Sequence, residues 1–499
     1  MRDQGVGSWT ARRARMTPGK TALVQDGRAT SYAQLHERAS RVAVGLRQRG
    51  IGRGDRVAFL GLNSAELVIT MFATARLGAA FLPVNTRLAP PELAFVLSDA
   101  GARLLIWDTE LAAGATSPEV TALGLDSVRF TRDGGLGLEG LGPPAGEAVD
   151  EPVGLDDLFM IQYTSGTSGR PKGVMLTHGN ITWNVYNLLV DVDLTSDETA
   201  LVTAPLFHTA ALNQVLLPTL LKGGTALIEA RFDPGRAIEL IEREGVSLLF
   251  GVTSMYLALA AAPRFATADL SSLRVALSGG APIPEALLRT WLDRGLMIVQ
   301  GYGLTECSPG VTMLRAADGV CKLGSAGTAC FFSDVRVARP DGAVTTAGEP
   351  GEVLVSDPNV SPGYWRNPAA TAAAFTGGWL HTGDLAVADE DGYLRIVDRV
   401  KDMFISGGEN VYPAEVERAL YTHPAVAECA VVGVPDDRWG EVGRAFVVVR
   451  DGQQLTEAEL LGHLDGRLAR YKIPRSAVFV PGLPHNAAGK LLKSRLPTG

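Results

Sequence analysis

The sequence predicts an α/β protein of two or more domains, and three observations carry that prediction. The chain has 499 residues, past the length at which one hydrophobic core stops growing. Its composition, 46% hydrophobic and 20% charged with 57 glycines against 28 prolines, suits a globular chain and excludes a disordered or collagen-like one. Strand-like and helix-like periods alternate from Thr30 to Ile106, which is the grammar of a largely parallel sheet covered by helices.

Taken in order, Tyr32 to Arg49 has helical spacing, Arg56 to Leu60 is a strand, Ala65 to Leu77 a helix and Ala80 to Val84 a strand. Thr131 to Pro152, rich in Gly, Pro and acid, reads as a surface linker. It contains a formal GxGxxG at Gly135, Gly137 and Gly140, but Pro143 and Pro144 follow before a helix could start, so no dinucleotide site is assigned there. The uncharged run Ala200 to Leu221 is long enough to cross a bilayer. It also carries Pro205, His208, Asn213, Gln214 and Pro218, and so reads as a buried segment of a soluble core.

After Asp398 the texture changes. A charged stretch, Asp398 to Asp402, precedes helix-like Pro413 to Tyr421 and Glu457 to Ala469 and strand-like Val426 to Val434 and Ala445 to Val449, enough for a small α+β domain. The expected division is residues 1–398, a hinge at 399–402 and a second domain at 403–499.

Net charge is −8 and the cations are spread along the chain, which leaves no footprint for nucleic acid. Any anionic ligand must be met locally. The segment Met1 to Met16 carries Arg2, Arg12, Arg13 and Arg15 with no apolar run behind them, which excludes a secretory signal and points to the cytoplasm. Cys307, Cys321, Cys330 and Cys429 form no CxxC pair, so neither a zinc site nor a disulfide framework is read from them.

The strongest local signal is Thr164-Ser165-Gly166-Thr167-Ser168-Gly169-Arg170-Pro171-Lys172-Gly173, directly after strand-like Leu158 to Tyr163. Small residues let backbone N–H groups and hydroxyls surround phosphate oxygens, and Lys172 adds a mobile point charge. It is not a Walker loop, which would need Gly at 171 and Ser or Thr at 173. A second cluster, Gln300-Gly301-Tyr302-Gly303-Leu304-Thr305-Glu306, follows strand-like Met297 to Val299. Glu306 is a hard oxygen ligand suited to Mg²⁺, and Thr305 can bond a phosphate. Ser278-Gly279-Gly280-Ala281-Pro282 is another glycine turn after a strand, Val275 to Leu277. Thr382-Gly383-Asp384 presents a carboxylate suited to a ribose diol, and Pro484 to Lys490 places a lysine on a glycine-bearing loop.

Together these motifs resemble the adenylate-forming acyl-CoA synthetases, in order and spacing, from about Thr21 to Lys493. Pro205-Leu206-Phe207-His208 and Ile405 to Pro413 are most similar to the actinobacterial long-chain fatty-acid–CoA ligases of that superfamily. The resemblance implies a large N-terminal domain of two βαβ subdomains and a distorted β-barrel, with a small mobile C-terminal lid. By it, Thr164 to Lys172 hold the pyrophosphate end of ATP, Thr305 a phosphate, and Glu306 with Thr164 the Mg²⁺. Gly279, Gly280, Ala281, Pro282, Gln300, Gly301, Tyr302 and Gly303 line the nucleotide slot. Asp384 bonds the ribose, Arg399 gives a second ribose and phosphate contact, Lys401 is the hinge and Lys490 the lid lysine of adenylation. Ile405 stands where luciferase and several aryl ligases carry lysine, and His485 replaces a more usual arginine.

For the acyl pocket the sequence offers Phe207, His208, Ala211, Val252, Met255 and Tyr256, mostly apolar, with no cation for a second carboxylate. His208 is a candidate gate. The implied activity is ATP-dependent activation of a medium- or long-chain fatty acid through an acyl-adenylate, followed by transfer to coenzyme A. The alternatives are an acyl-AMP ligase that loads a carrier-protein phosphopantetheine and an aryl or cinnamate-type CoA ligase. Partners are thus the acid, ATP and coenzyme A, with room for an acyl carrier protein and for peripheral membrane contact.

Overall fold

A computed structural model describes residues 3–132, 138–141, 149, 151–164, 171–281, 283–399, 402–406, 409–436, 439–465, 467–485 and 491–497, and the elements below lie within them. Four sheets organise these residues. The first has six strands in the order Asp126–Phe130, Leu104–Asp108, Arg56–Leu60, Ala80–Pro83, Leu158–Thr164 and Lys172–Thr177. Its pairs are parallel except the last, where the two strands flanking the phosphate-loop motif run antiparallel with Thr164 opposite Lys172.

The second sheet has nine strands. Its parallel middle runs Ile298–Gly303, Val275–Ser278, Leu248–Gly251, Thr199–Val202, Thr225–Ile228 and Thr21–Gln25. Antiparallel strands close both edges, Gly310–Met313 with Thr328–Ala329 on one side and Arg28–Ser31 on the other. Central strands such as Leu248–Gly251 and Val275–Ser278 are buried along their whole length, which is why they read as apolar runs without alternation. One continuous core joins the two sheets: Phe59, Phe81 and Val174 from the first pack in one cluster with Phe250 and Leu277 from the second, together with Phe72 of helix Ala65–Arg76 and Leu206. The two βαβ halves therefore share their interior and bring their strand ends to a common rim.

Local sequence sets the helices. Ser31 and Gln34 form a reciprocal capping box that starts Tyr32–Gln48, and Leu35, Ala39, Val42 and Leu46 give that helix its buried stripe. Pro234–Glu244 begins at the Asp233 cap with Pro at its first position and stops at Gly245, whose φ of 63° suits glycine.

The third sheet is a five-stranded antiparallel half-barrel of Asp334–Ala338, Pro350–Ser356, Trp379–Ala388, Phe375–Thr376 and Leu394–Arg399. The fourth belongs to the small C-terminal domain, with Val426–Asp436 and Gly440–Val449 as its long hairpin and helices Pro413–Leu420 and Glu457–Leu464 packed on it. The fold is thus α/β with a large N-terminal and a small C-terminal domain.

Two readings of the sequence are corrected here. The stretch from Thr131 to Pro152 is not all surface linker: Leu138–Leu141 form a 3₁₀ turn, and Leu138, Leu141 and Val149 are buried against the shared core. Gly135 and Gly137 lie outside the described residues. The helix expected from Glu457 to Ala469 ends at Leu464, because Asp465 takes extended backbone. Among the described residues no helix is long and apolar enough to cross a membrane. Cys307, Cys330 and Cys429 are buried, Cys321 is exposed, and all four are free.

The 138–141 turn explains a glycine. Gly45 sits inside helix Tyr32–Gln48, and a Cβ there would overlap the Leu141 carbonyl. Gly45→Ala should therefore destabilise the fold by about 1–3 kcal/mol, the usual cost of overpacking. Gly462→Ala, in helix Glu457–Leu464 with open space around it, should be neutral or stabilising by up to about 1 kcal/mol. Melting temperatures of the two variants check the contrast, and equal shifts would contradict it.

Candidate active site

The strand ends converge on two linked groups of side chains. In the first, the Tyr364 hydroxyl donates to Glu306 Oε1 at 2.7 Å, and the Lys172 ammonium lies 5.0 Å from the centroid of the Tyr364 ring. In the second, the Tyr302 hydroxyl donates to Asp384 Oδ2 at 2.8 Å, and Arg399 Nε pairs with Asp384 Oδ1 at 3.0 Å. Glu306 and Tyr302 lie on one short segment, which links the two groups.

Backbone geometry builds each group. Trp365 N–H donates to the Gly173 carbonyl at 2.7 Å and Met175 N–H to the Gly363 carbonyl at 3.0 Å, which lays the Tyr364 segment along the strand that carries Lys172. Ser361 N–H donates to the Glu306 carbonyl at 2.6 Å. Asn359, fully buried, donates to the carbonyls of Cys307 at 2.6 Å and Gly310 at 2.8 Å, bracing the turn Thr305–Cys307 from beneath. Asp384 and Arg399 face each other across paired strands, and Gly383 takes φ 70° inside strand Trp379–Ala388, where its register with Pro350–Ser356 shifts, just before the carboxylate.

A third feature suits a nucleotide. Ser278 and Gln300 are cross-strand neighbours at the C-terminal ends of parallel strands. Both are buried, and Ser278 Oγ and Gln300 Nε2 lack a protein partner. Buried polar atoms are nearly always bonded, so this pair is suited to a polar ligand edge. Beside them Gly279 keeps a close approach, since a Cβ would lie 3.1 Å from the Gly301 carbonyl oxygen. Ala281 is at the rim.

Other candidates fall elsewhere. Ser165, Gly166, Thr167, Ser168, Gly169, Pro282, Lys401 and Lys490 lie outside the described residues, although Thr164 and Lys172 fix both ends of the phosphate loop. The chain before Lys490 is held by His485, whose Nε2 meets Glu428 at 2.8 Å. Ala211, Val252 and Met255 belong to the shared core, and the Phe207 and His208 rings, on the segment that leads to Ala211, lie 4.6 Å apart. Tyr256 does not join them, which corrects its expected place in the pocket. It is fully buried in a second core on the other side of the sheet, bonded to the Leu277 carbonyl at 2.9 Å and stacked edge-on against Trp291. Tyr364 escaped sequence analysis altogether; its only signal there is a tyrosine after Gly363, whose Cβ would overlap Thr371.

For a metal, no group of three or more His, Cys, Asp or Glu among the described residues could hold an ion. The donor set instead offers the single carboxylate Glu306, with its Oε2 free of the tyrosine bond. That fits Mg²⁺ carried on a substrate phosphate, which needs only one or two protein carboxylates.

The comparisons agree with this geometry. The sequence pattern of the AMP-binding enzyme family matches residues 10–365, and that of the AMP-binding enzyme C-terminal domain matches residues 415–490. A feruloyl-CoA synthase of Amycolatopsis sp. is 53% identical over 496 residues, 99% of either chain. A long-chain-fatty-acid–CoA ligase of Mycobacterium tuberculosis is 39% identical over 506 residues, covering 99% of this chain and 98% of that one. The o-succinylbenzoate coenzyme A synthetase of Bacillus subtilis, solved with ATP and magnesium ion, superposes with a TM-score of 0.88 at 33% identity, covering 98% of this chain and 99% of that one. The chain belongs to the AMP-binding enzyme family. Within it the protein is an acyl-CoA synthetase, which activates a carboxylic acid with ATP and ligates it to coenzyme A. The expected likeness to the long-chain fatty-acid ligases is the weaker of the two, at 39% against 53%.

Burial sets the protonation of the site's histidine. His208 is pushed from its ordinary 6.5 down to about 4, chiefly by burial and then by Arg87. His178, which accepts from Val6 N–H at 3.0 Å, is pushed by burial to about 3. Both are neutral in the folded protein at neutral pH. The unfolded chain binds their protons below about 6.5 while the folded chain does not, so stability falls as pH drops from 6.5 towards 4. Denaturant midpoints across that range should therefore fall with pH, and the slope should be shallower in His178→Gln and His208→Gln. An unchanged slope in both variants would contradict this.

Proposed function

We propose that the chain is an aryl-acid CoA ligase of the hydroxycinnamate type, with a ferulate-like acid as substrate. The observation that carries this reading is the 53% identity to a feruloyl-CoA synthase along nearly the whole chain. The pocket chemistry supports it. His208 is neutral with an unpartnered Nε2, and Gln214, three residues on from Ala211, is buried with its Oε1 unpartnered. An alkyl chain would leave these polar atoms dry, at about 1–3 kcal/mol each, whereas a phenol or methoxy group can bond them. Phe207, Val252 and Met255 supply the apolar walls for the ring.

A carboxylate and a triphosphate are both anions, so the chemistry is chiefly positional and electrostatic. Lys172 and the 164–172 loop take the β- and γ-phosphates, and Thr305 the α-phosphate. Glu306 with Thr164 would hold the Mg²⁺ that neutralises the phosphate oxygens. Asp384, oriented by Tyr302 and Arg399, accepts from the ribose hydroxyls. An oxygen of the acid attacks the α-phosphorus and pyrophosphate leaves with the P–O bonding pair. In the second step the coenzyme A thiolate attacks the acyl carbon and AMP leaves. Lys490, needed beside the attacking carboxylate, obstructs the thiol. It is therefore carried on the C-terminal domain, 403–499, which turns about residues 399–402 and Lys401.

Pyrophosphate exchange measured over a panel of acids tests the substrate class. Ferulate and 4-coumarate should exceed octanoate and palmitate by about tenfold or more, on the order of 1.4 kcal/mol in transition-state binding. Preference for palmitate would overturn the reading, and turnover with a holo carrier protein but not with free coenzyme A would reassign the acceptor. Separately, Lys490→Ala should lower adenylation by 10² or more, roughly 3 kcal/mol, yet spare thioester formation from supplied acyl-adenylate. Equal loss in both steps would refute the division of labour.

A further inference from the structure

We propose that Tyr364 is a positioning residue that holds Lys172 and Glu306 close together and prevents them from forming an ion pair. The idea rests on the assignment of those two residues to the ATP phosphates and their metal, and extends it to a residue that no motif marked.

An ammonium and a carboxylate on adjoining, half-buried segments attract each other. If they met, each would neutralise the other, and neither the phosphates nor a metal ion would find a free charge. Among the described residues Lys172 pairs with no carboxylate and Glu306 with no cation. What lies between them is the Tyr364 side chain, only 9% exposed. Its ring face sits under the Lys172 ammonium at 5.0 Å, an attraction that steadies the cation without cancelling its charge. Its hydroxyl donates to Glu306 Oε1 at 2.7 Å and leaves Oε2 for another ligand.

The ring is held firmly enough to act as a spacer. Val174 and Tyr364 form an antiparallel bridge, and Tyr364 N–H donates to Thr371 Oγ1 at 3.0 Å. Ser361, on the same short segment, holds the Glu306 carbonyl.

Tyr364→Phe and Tyr364→Leu separate the two roles, with Tyr364→Met as a second non-aromatic variant if Leu does not fold. In pyrophosphate exchange, the Leu variant should raise the KM for MgATP about tenfold or more while the KM for the acid stays within about twofold. Phe, which keeps the ring, should recover most of the MgATP affinity but raise the Mg²⁺ concentration needed for half-maximal rate several-fold. ATP binding without metal gives the decisive cycle: Glu306→Gln should improve ATP affinity at least about fivefold more in the Tyr364→Leu background than in the wild type, because it frees a captured Lys172. Additive effects, or equal losses in the Phe and Leu variants, or a parallel rise in the acid KM, would each overturn the spacer role. Lys172→Ala alone discriminates the parent assignment. If it leaves ATP affinity intact, the reading of the site itself fails. If it weakens ATP while the Tyr364 variants do not, only the present inference fails.

Discussion

Repulsion between a carboxylate and a triphosphate is the constraint to which the architecture answers. A chain of net charge −8 offers such anions no general attraction, so positive charge has to be delivered at one place and kept from being neutralised there. The two parallel sheets meet that need by sharing a core. Their strand ends then open on a common rim, where glycine turns bring the backbone close and leave the charged side chains at the edge. Two carboxylates here are each held by a neighbour that fixes their direction: Glu306 by Tyr364, Asp384 by Tyr302 and Arg399.

Precision at the rim comes from buried amides and backbone pairing. Asn359 spends both hydrogens of its amide on the carbonyls of Cys307 and Gly310, and its oxygen accepts from Asn187 at 3.2 Å. Removing one member would leave buried carbonyls unpaired, which costs more than the bond itself contributes. The same logic reads in reverse at Ser278, Gln300, His208 and Gln214. Their unpartnered buried atoms are tolerable in the resting protein only because a polar ligand or water can take them up.

Much of this was legible in the sequence because the relevant signals are local. A strand followed by small residues and a lysine, or by glycines and Thr-Glu, needs no knowledge of distant packing, and those motifs fall on the strand ends where the cleft forms. The parts that stayed hidden depend on phase or distance. Met255 and Tyr256 are adjacent on helix Thr253–Ala261, so their side chains point about 100° apart, as 3.6 residues per turn requires. One faces the shared core and the other a different one, which composition cannot distinguish. Leu138 and Leu141 were masked by the glycines and prolines around them, although two leucines suffice to anchor a turn. Tyr364 meets Glu306 across 58 residues of sequence, and nothing in its immediate neighbours announces that partner. The features that support the proposed substrate class are hard to read for a similar reason, since pocket side chains come from several segments and their polarity emerges only when their partners are counted.

The boundary between the domains is itself an electrostatic device. Asp398, next to last in strand Leu394–Arg399, has a buried carboxylate, which accepts from Arg399 N–H at 2.8 Å and from Ala414 N–H at 2.9 Å. Ala414 stands in the first turn of helix Pro413–Leu420, whose exposed N–H groups and dipole favour an anion there. Asp398 thus caps a helix of the small domain from the large one. Lys493 adds its charge nearby through a 2.7 Å pair with half-buried Glu417. With the pivot proposed at 399–402, any large turn of the small domain would break the bond to Ala414 or carry Asp398 along. A hydrogen bond to a charged group contributes about 1.5–3 kcal/mol, enough to bias two domain arrangements without locking either. On the proposed division of the chain, a residue just outside the hinge can therefore bias how long one arrangement of the small domain lasts, although it touches no substrate.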